Sequence, residues 1–275
     1  MAQFERHARE LSEQGVTLFE QVVPPELLEA SKAAIIDFLG IDPSDPATFS
    51  RVPGENAGIV PLHHAAAFWA VRQHPPIHEI FSKLWGTQKL WVTMDRAGFR
   101  PPEATGASGG DVVNLHWDTD PDDANYFYQG MLYLNDAPPD RAPLLVGAGV
   151  FRELETFLGA PPPEFRPPDS MRVNVSPKDV VTVGGRAGDF VVWHSRAPHG
   201  VGPNLSAEPR YTQYVSMYPV AVAKEKADDR VALWQSKRPP PWWREGFVGQ
   251  KDPEPGEPAP LSSLGRKLVG IDAWR

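Results

Sequence analysis

Apolar and polar positions along this chain follow a helical period first and a strand-like period later. From Phe4 to Gln14 the spacing predicts a helix stopped by Gly15, and Val16-Thr17-Leu18-Phe19 then reads as a short strand. Pro24-Pro25-Glu26 opens a second helix with proline in its tolerated first turn. Leu27, Leu28, Ala30, Ala34, Ile35, Phe38 and Leu39 recur there at helical spacing until Gly40. Residues 41–61 are punctuated by proline and glycine and read as loop. Leu62 to Trp85 is mostly helical, broken at Pro75-Pro76, with Ile77, Ile80, Phe81 and Leu84 forming one apolar stripe. Lys89 to Met94 is β-branched and aromatic enough for a strand.

Beyond that point short strands alternate with turn signals, the mark of an all-β sandwich or barrel. The candidates are Tyr126 to Leu134, Leu144 to Val146, Val180 to Val183, Phe190 to Trp193 and Arg210 to Tyr218. Asn135-Asp136 and the run Gly184 to Asp189 supply turns between them. After about residue 225 the chain is proline-rich and reads as extended or looped, with a short helix near Leu261 to Leu268. The expected organisation is a single domain over 1–275: a mostly helical layer (1–87), a β core (88–220) and a proline-rich tail (221–275).

Composition narrows the function classes. Acidic residues outnumber basic ones 35 to 27, a net charge of −8, which argues against a nucleic-acid partner because a phosphate backbone wants a basic face. Prolines number 31 of 275, about twice the usual ~5%, and predict many short elements joined by ordered loops. With 41% hydrophobic residues and nine tryptophans to bury, this is not a disordered composition. There is no cysteine, so disulfides, thiolate zinc sites and cysteine nucleophiles are excluded, and any metal must be held by His, Asp or Glu. The stretch Met1 to His7 lacks the basic-then-apolar pattern of a signal peptide, and no apolar run approaches the roughly 18 residues of a membrane span. The expectation is a cytoplasmic protein with no membrane partner, acting on a small molecule.

The candidate chemistry centres on Asn114-Leu115-His116-Trp117-Asp118. In a strand, residues i and i+2 share a face, so Asn114, His116 and Asp118 would project together while Leu115 and Trp117 face the other way. An isolated His-x-Asp pair also suits a core histidine bonded to its neighbour. Three features favour a metal. The ligand segments lie in or just after predicted strands, the strand from Phe190 ends close to His199, and Arg210 begins the next strand. Two histidines and one carboxylate on one face of an ion leave the opposite positions open, the donor set of a non-haem ferrous oxygenase. An oxygenase using 2-oxoglutarate would chelate iron through the C1 carboxylate and keto oxygen and bury the far carboxylate in an apolar barrel. A guanidinium fork at Arg210 would meet that charge, and Thr212 on the same strand face would add a hydroxyl donor. Asn114 is a candidate contact for the C1 carboxylate or for the substrate. The run Gly106 to Gly110 suggests a lid over a reactive site. His63, His64 and His74 have no ligand spacing with a carboxylate and are read as structural or exposed, and Trp242 and Trp243 as packing the tail onto the body.

The distal segment, Gly188-Asp189-Phe190-Val191-Val192-Trp193-His194-Ser195 through His199-Gly200-Val201-Gly202-Pro203-Asn204-Leu205-Ser206 to Pro209-Arg210, resembles that of phytanoyl-CoA dioxygenase-like iron/2-oxoglutarate oxygenases. His116-Trp117-Asp118 matches their proximal His-x-Asp, and the opening Gln14-Gly15-Val16-Thr17-Leu18-Phe19 is similar to theirs. The likeness spans roughly residues 10–220. It implies a mainly β fold, a double-stranded β-helix (a distorted jelly roll) with an N-terminal helical layer on one sheet. It implies Fe(II) on His116, Asp118 and His199 rather than on His194, 2-oxoglutarate anchored by Arg210, O2 as oxidant and no haem. The implied reaction is hydroxylation or another C–H oxidation of a small organic molecule, with release of succinate and CO2. The chain departs from the family pattern at Ala142 to Val150, which lacks the serine and histidine usual there. Position 118 keeps its carboxylate, where halogenating relatives carry a small residue, so hydroxylation is preferred to halogenation. Two other classes fit these residues: a cupin-type metal-dependent hydrolase or isomerase, and a non-enzymatic jelly-roll binding protein.

Overall fold

The structure, a computed structural model, describes residues 2–51, 58–103, 112–167, 169–239 and 256–275. The Gly106 to Gly110 run, Trp242 and Trp243 lie outside the described residues. Helix α1 (Ala2–Gln14) leads into β1 (Val16–Phe19), and α2 (Pro25–Leu39) ends at a left-handed Gly40. The helical pattern predicted from Leu62 starts later, at α3 (Ala66–Arg72), and resumes as α4 (Pro75–Trp85). Ile77, Ile80 and Phe81 of the α4 stripe are buried. Among its described residues, the loop predicted over 41–61 contains a short strand, β2 (Ile59–Val60). Among the described residues no helix is long and apolar enough to cross a membrane.

The rest of the chain is mainly antiparallel sheet. Strand β3 (Leu90–Val92) leads to β4 (Ala97–Arg100), β5 (Val113–His116), β6 (Tyr128–Tyr133) and β7 (Leu144–Val146). Two short helices, α5 (Ala148–Arg152) and α6 (Leu154–Gly159), precede β8 (Arg172–Val175) and β9 (Val181–Val183). The last strands are β10 (Phe190–His194), β11 (His199–Val201), β12 (Arg210–Tyr214) and β13 (Met217–Pro219). Among the described residues these form a six-stranded sheet, β1-β10-β6-β12-β4-β2, and a five-stranded sheet, β8-β5-β11-β7-β9. Strands β13 and β3 pair separately.

Alternation along the strands sorts side chains into three cores. On the outer face of the six-stranded sheet, Phe99, Leu132, Phe190, Val192 and Tyr211 pack with Leu28, Ile35, Phe68, Ile77 and Phe81 of α2, α3 and α4. This is the expected helical layer on one sheet. Between the sheets, Met131, Tyr133, Val191 and Trp193 meet Leu144 and Val146. The outer face of the five-stranded sheet buries Leu115, Trp117, Val173 and Val175 against Leu154 and Phe165, so α5 and α6 and the loop after them cover this second face too.

Two expectations are corrected. The stretch Arg210 to Tyr218, read as one strand, is two, because β12 joins the six-stranded sheet and β13 leaves it to pair with β3. The tail read as extended after about 225 contains α7 (Ala227–Ser236) as well as the expected short helix, α8 (Ser263–Val269). Helix α7 escapes an apolar-periodicity reading because its buried anchor is an arginine. Arg230 is 4% exposed and donates to the carbonyls of Val269, Val92 and Leu268 and to the Tyr218 hydroxyl.

Candidate metal centre

Strand pairing, not closeness in sequence, brings the two histidines together. His116 on β5 and His199 on β11 are directly opposed in antiparallel register, with ring centroids 4.7 Å apart. Strand β5 ends at His116, so Asp118 reaches the site from the bend just past the strand rather than from the strand itself. Its Oδ1 lies 3.5 Å from His116 Nε2 and its Oδ2 3.4 Å from His199 Nε2. One candidate donor atom from each residue lies within 4.8 Å of the other two. Metal bonds of about 2.0–2.2 Å meeting at right angles place neighbouring donors roughly 3 Å apart, so small side-chain shifts would let these groups share one ion.

The surroundings orient each group. Leu115 and Trp117 face away as alternation predicts. The Trp117 ring packs on Phe157 and Phe165, its Nε1 donates to the Arg196 carbonyl at 2.9 Å, and its backbone N–H donates to the Met171 carbonyl. The residue between His116 and Asp118 is therefore clamped. His199 is buried, and its Nδ1 lies 3.3 Å from the Ala197 carbonyl. With Nδ1 turned to that carbonyl, Nε2 is the ring nitrogen that faces Asp118. Gly200 lets Leu115 come close, since a β-carbon there would sit 3.1 Å from Leu115 Cδ2. Partial desolvation works against charge on the Asp118 carboxyl, but hydrogen bonding and attraction from both imidazoles outweigh it and hold its pKa well below the usual carboxylate range.

Gln129 is a site residue to which the sequence assigned no role. From β6 its Nε2 donates to Asp118 Oδ2 at 2.5 Å, and its buried Oε1 has no partner among the described residues. Its cross-strand neighbour Trp193 places an indole 5.3 Å from the His199 ring, and the buried Trp193 Nε1 is also unpartnered among the described residues. Alternation along Tyr126 to Leu134 places Gln129 and Tyr133 on one strand face without saying which face looks inward. Only the pairing of β6 with β10 and β12 decides that.

Arg210 and Thr212 point into the same inter-sheet interior. Thr212 pairs with Tyr133 of β6 and with Gly98 of β4. Arg210 is 1% exposed, its Nη1 donates to the Ala142 carbonyl, and among the described residues no carboxylate pairs with it. Among the described residues, its Nε and the Thr212 Oγ1 are buried without partners. Gly98 leaves the room they share, since a β-carbon there would meet Thr212 Oγ1 at 2.5 Å, the Tyr214 hydroxyl at 3.4 Å and Arg210 Nη2 at 3.7 Å. Opposite Arg210 stands Arg100, whose pKa is lowered by burial first and by Arg210 second. Two largely buried guanidiniums, neither in an ion pair among the described residues, make a cradle for an anion. The Asn-x-Ser of the distal segment closes the loop before Arg210. The Asn204 amide donates to the carbonyls of Arg100 and Glu208 and accepts from the Ser206 hydroxyl.

The other candidates fall elsewhere. Asn114 shares the His116 face but is engaged by its neighbours, donating to Asn174 Oδ1 at 3.1 Å and accepting from Arg172 Nη1 at 3.0 Å. His194 stacks on Tyr126 and is not among the converging groups; burial lowers its pKa to about 4. His63 is buried against His64, and His74 bonds to the Val22 carbonyl. A surface groove of about 1070 Å³ lined by Glu20, Asp136, Arg141, Arg186 and Asp189 includes none of the three converging groups.

The model of the family described as Phytanoyl-CoA dioxygenase (PhyH) matches residues 11–212. The chain belongs to the phytanoyl-CoA dioxygenase family. That span contains the three converging residues, Arg210 and Thr212. A Dictyostelium discoideum protein provisionally named a phytanoyl-CoA dioxygenase is 21% identical to this family member, over 75% of this chain and 73% of the relative. Among solved structures, GlcNAc Inducible Gene 2 from Candida albicans aligns with a TM-score of 0.68 at 11% identity, covering 98% of this chain and 76% of its own. The epimerase SnoN, solved in complex with Fe3+, alpha ketoglutarate and nogalamycin RO, aligns with a TM-score of 0.54 at 17% identity, covering 95% and 96% of the two chains. At those identities the likeness speaks for a shared fold.

Proposed function

We propose that this phytanoyl-CoA dioxygenase family member is an Fe(II)- and 2-oxoglutarate-dependent dioxygenase that hydroxylates, or otherwise oxidises at an unactivated C–H, a small organic molecule. The two sheets then correspond to the halves of a double-stranded β-helix. His116, Asp118 and His199 hold the iron, and Arg210 with Thr212 takes the far carboxylate of 2-oxoglutarate. The observation that carries the reading is the buried Arg210, with no acid partner among the described residues, facing the same interior as the three donors.

The donor set suits ferrous ion, since two imidazoles and a carboxylate bind one face and leave the rest open. When bound, iron would couple O2 reduction to oxidative decarboxylation of 2-oxoglutarate, giving succinate and CO2. The protein supplies positioning. The Ala197 carbonyl sets the His199 tautomer and Gln129 turns the Asp118 carboxylate. The guanidinium at Arg210 offers a charge-assisted fork to a carboxylate, and the Thr212 hydroxyl adds a donor beside it. Trp193, Met131, Val191 and Val146 line the interior with apolar surface that excludes water. A cupin-type hydrolase or isomerase would have no use for an unpaired guanidinium buried this way, and a binding protein without metal would have no use for the three donors.

The test is anaerobic loading with ferrous ion and 2-oxoglutarate, followed by oxygen and measurement of succinate. Iron-dependent succinate release and a visible metal-to-ligand absorption band are expected. Absence of both would refute the reading.

A further inference from the structure

The open side of the site is lined by a cation that the reaction described above does not use. His116 and Asp118 side chains are 39% and 46% exposed, whereas the His199 side chain is 7% exposed, so a molecule from solvent approaches from the β5 side. On that side β8 forms the edge of the five-stranded sheet, and Arg172 lies directly opposite His116 in register. Directly opposed residues share a sheet face, with β-carbons about 4.5–5.5 Å apart. Arg172 and His116 therefore project together.

This guanidinium is held in place. Its Nη1 donates to Asn114 Oδ1 at 3.0 Å, and Asn114 Nδ2 donates in turn to Asn174 Oδ1 at 3.1 Å. Asn174 faces Asn114 across the same strand pair. Among the described residues no carboxylate pairs with Arg172, although the chain carries 35 acidic residues against 27 basic ones. A pinned guanidinium keeps most of its N–H donors free and presents a fork matched to an oxyanion. Asn114, read from sequence as a contact for the co-substrate or substrate, is engaged here in positioning Arg172.

We infer that the substrate carries an oxyanion, a carboxylate or a phosphate ester, and that Arg172 binds it at the mouth beside His116. The inference rests on the iron and 2-oxoglutarate reading, which assigns the Arg210 cradle to the co-substrate and leaves Arg172 for the molecule to be oxidised. An anchored charge at the mouth sets which end of the substrate stays outside and which carbon reaches the metal.

The experiment uses the full chain loaded anaerobically with Mn(II) and saturating 2-oxoglutarate, and follows paramagnetic broadening of probe protons by NMR. The probes are octanoate, octyl phosphate and octanol. Octanoate or octyl phosphate should be broadened while octanol is not, and whichever binds identifies the oxyanion. Arg172→Gln should weaken that binding at least tenfold with unchanged melting temperature, and Arg172→Lys should recover part of it. Equal broadening of octanol, no broadening by any probe, or binding unchanged in Arg172→Gln would overturn the inference. A separate titration of 2-oxoglutarate keeps the two readings apart. Its binding should be the same in the wild type and Arg172→Gln, and failure to bind in both would instead sink the co-substrate assignment.

Discussion

Removing the His116 imidazole takes away one of three donors, so His116→Ala is expected to lose ferrous ion. Arg210→Ala should keep the ion and weaken 2-oxoglutarate. Truncating one partner of a buried charge pair costs about 2–5 kcal/mol, or at least roughly 30-fold in affinity. Calorimetry of each ligand on each variant separates the roles, and equal effects on both ligands would refute them. Gln129→Leu leaves all three donors but frees Asp118 Oδ2, and metal affinity should fall by about 10–100-fold while the fold is kept. The three converging residues were legible in the sequence because residue type and spacing single them out. Gln129 was not, since nothing in Tyr128-Gln129-Gly130 says which face of the strand looks inward. Likewise the predicted shared face of Asn114 and His116 exists, but Asn114 spends its amide on Arg172 and Asn174, partners that only the β5–β8 register supplies.

At the scale of elements, local signals and long-range pairing divide the chain. Helix α2 was readable from Pro25 to Gly40 because a proline start, an apolar stripe and a glycine stop are all local. Strand β11 was not, since His199-Gly200-Val201 has no alternation of its own and becomes a strand by pairing with β5 and β7. Helix α7 was hidden because Arg230 stands where an apolar residue would be expected. The segment carrying His116 and Asp118 depends on Trp117, buried against Phe157 and Phe165. Trp117→Ala should cost about 3–5 kcal/mol in denaturant unfolding and weaken metal binding as well. A variant with unchanged stability would show that the clamp contributes nothing.

For the whole molecule, stability should depend on pH through the buried histidine pair. Burial first, then neighbouring charges, lowers His63 to a pKa of about 3 and His64 to about 4, so the folded state keeps both neutral. The unfolded chain binds these protons near the ordinary value of about 6.5. The contribution is therefore complete above about pH 6.5 and is lost as pH falls toward 4 and then 3. His63→Phe should flatten the melting-temperature profile across that window, and a profile as steep as the wild type's would contradict it. Metal should act on the whole fold too. An ion present at 100 times its dissociation constant stabilises by about 2.7 kcal/mol, which chelation reverses and which His199→Ala should not show.

Whether His116, Asp118 and His199 share one ferrous ion is decided by anaerobic calorimetric titration of Fe(II). One ion per chain is expected in the wild type, with at least roughly 100-fold weaker binding in each of His116→Ala, Asp118→Ala and His199→Ala, beyond the 10–100-fold expected for an outer residue. A folded single variant that binds iron as tightly as the wild type would contradict it.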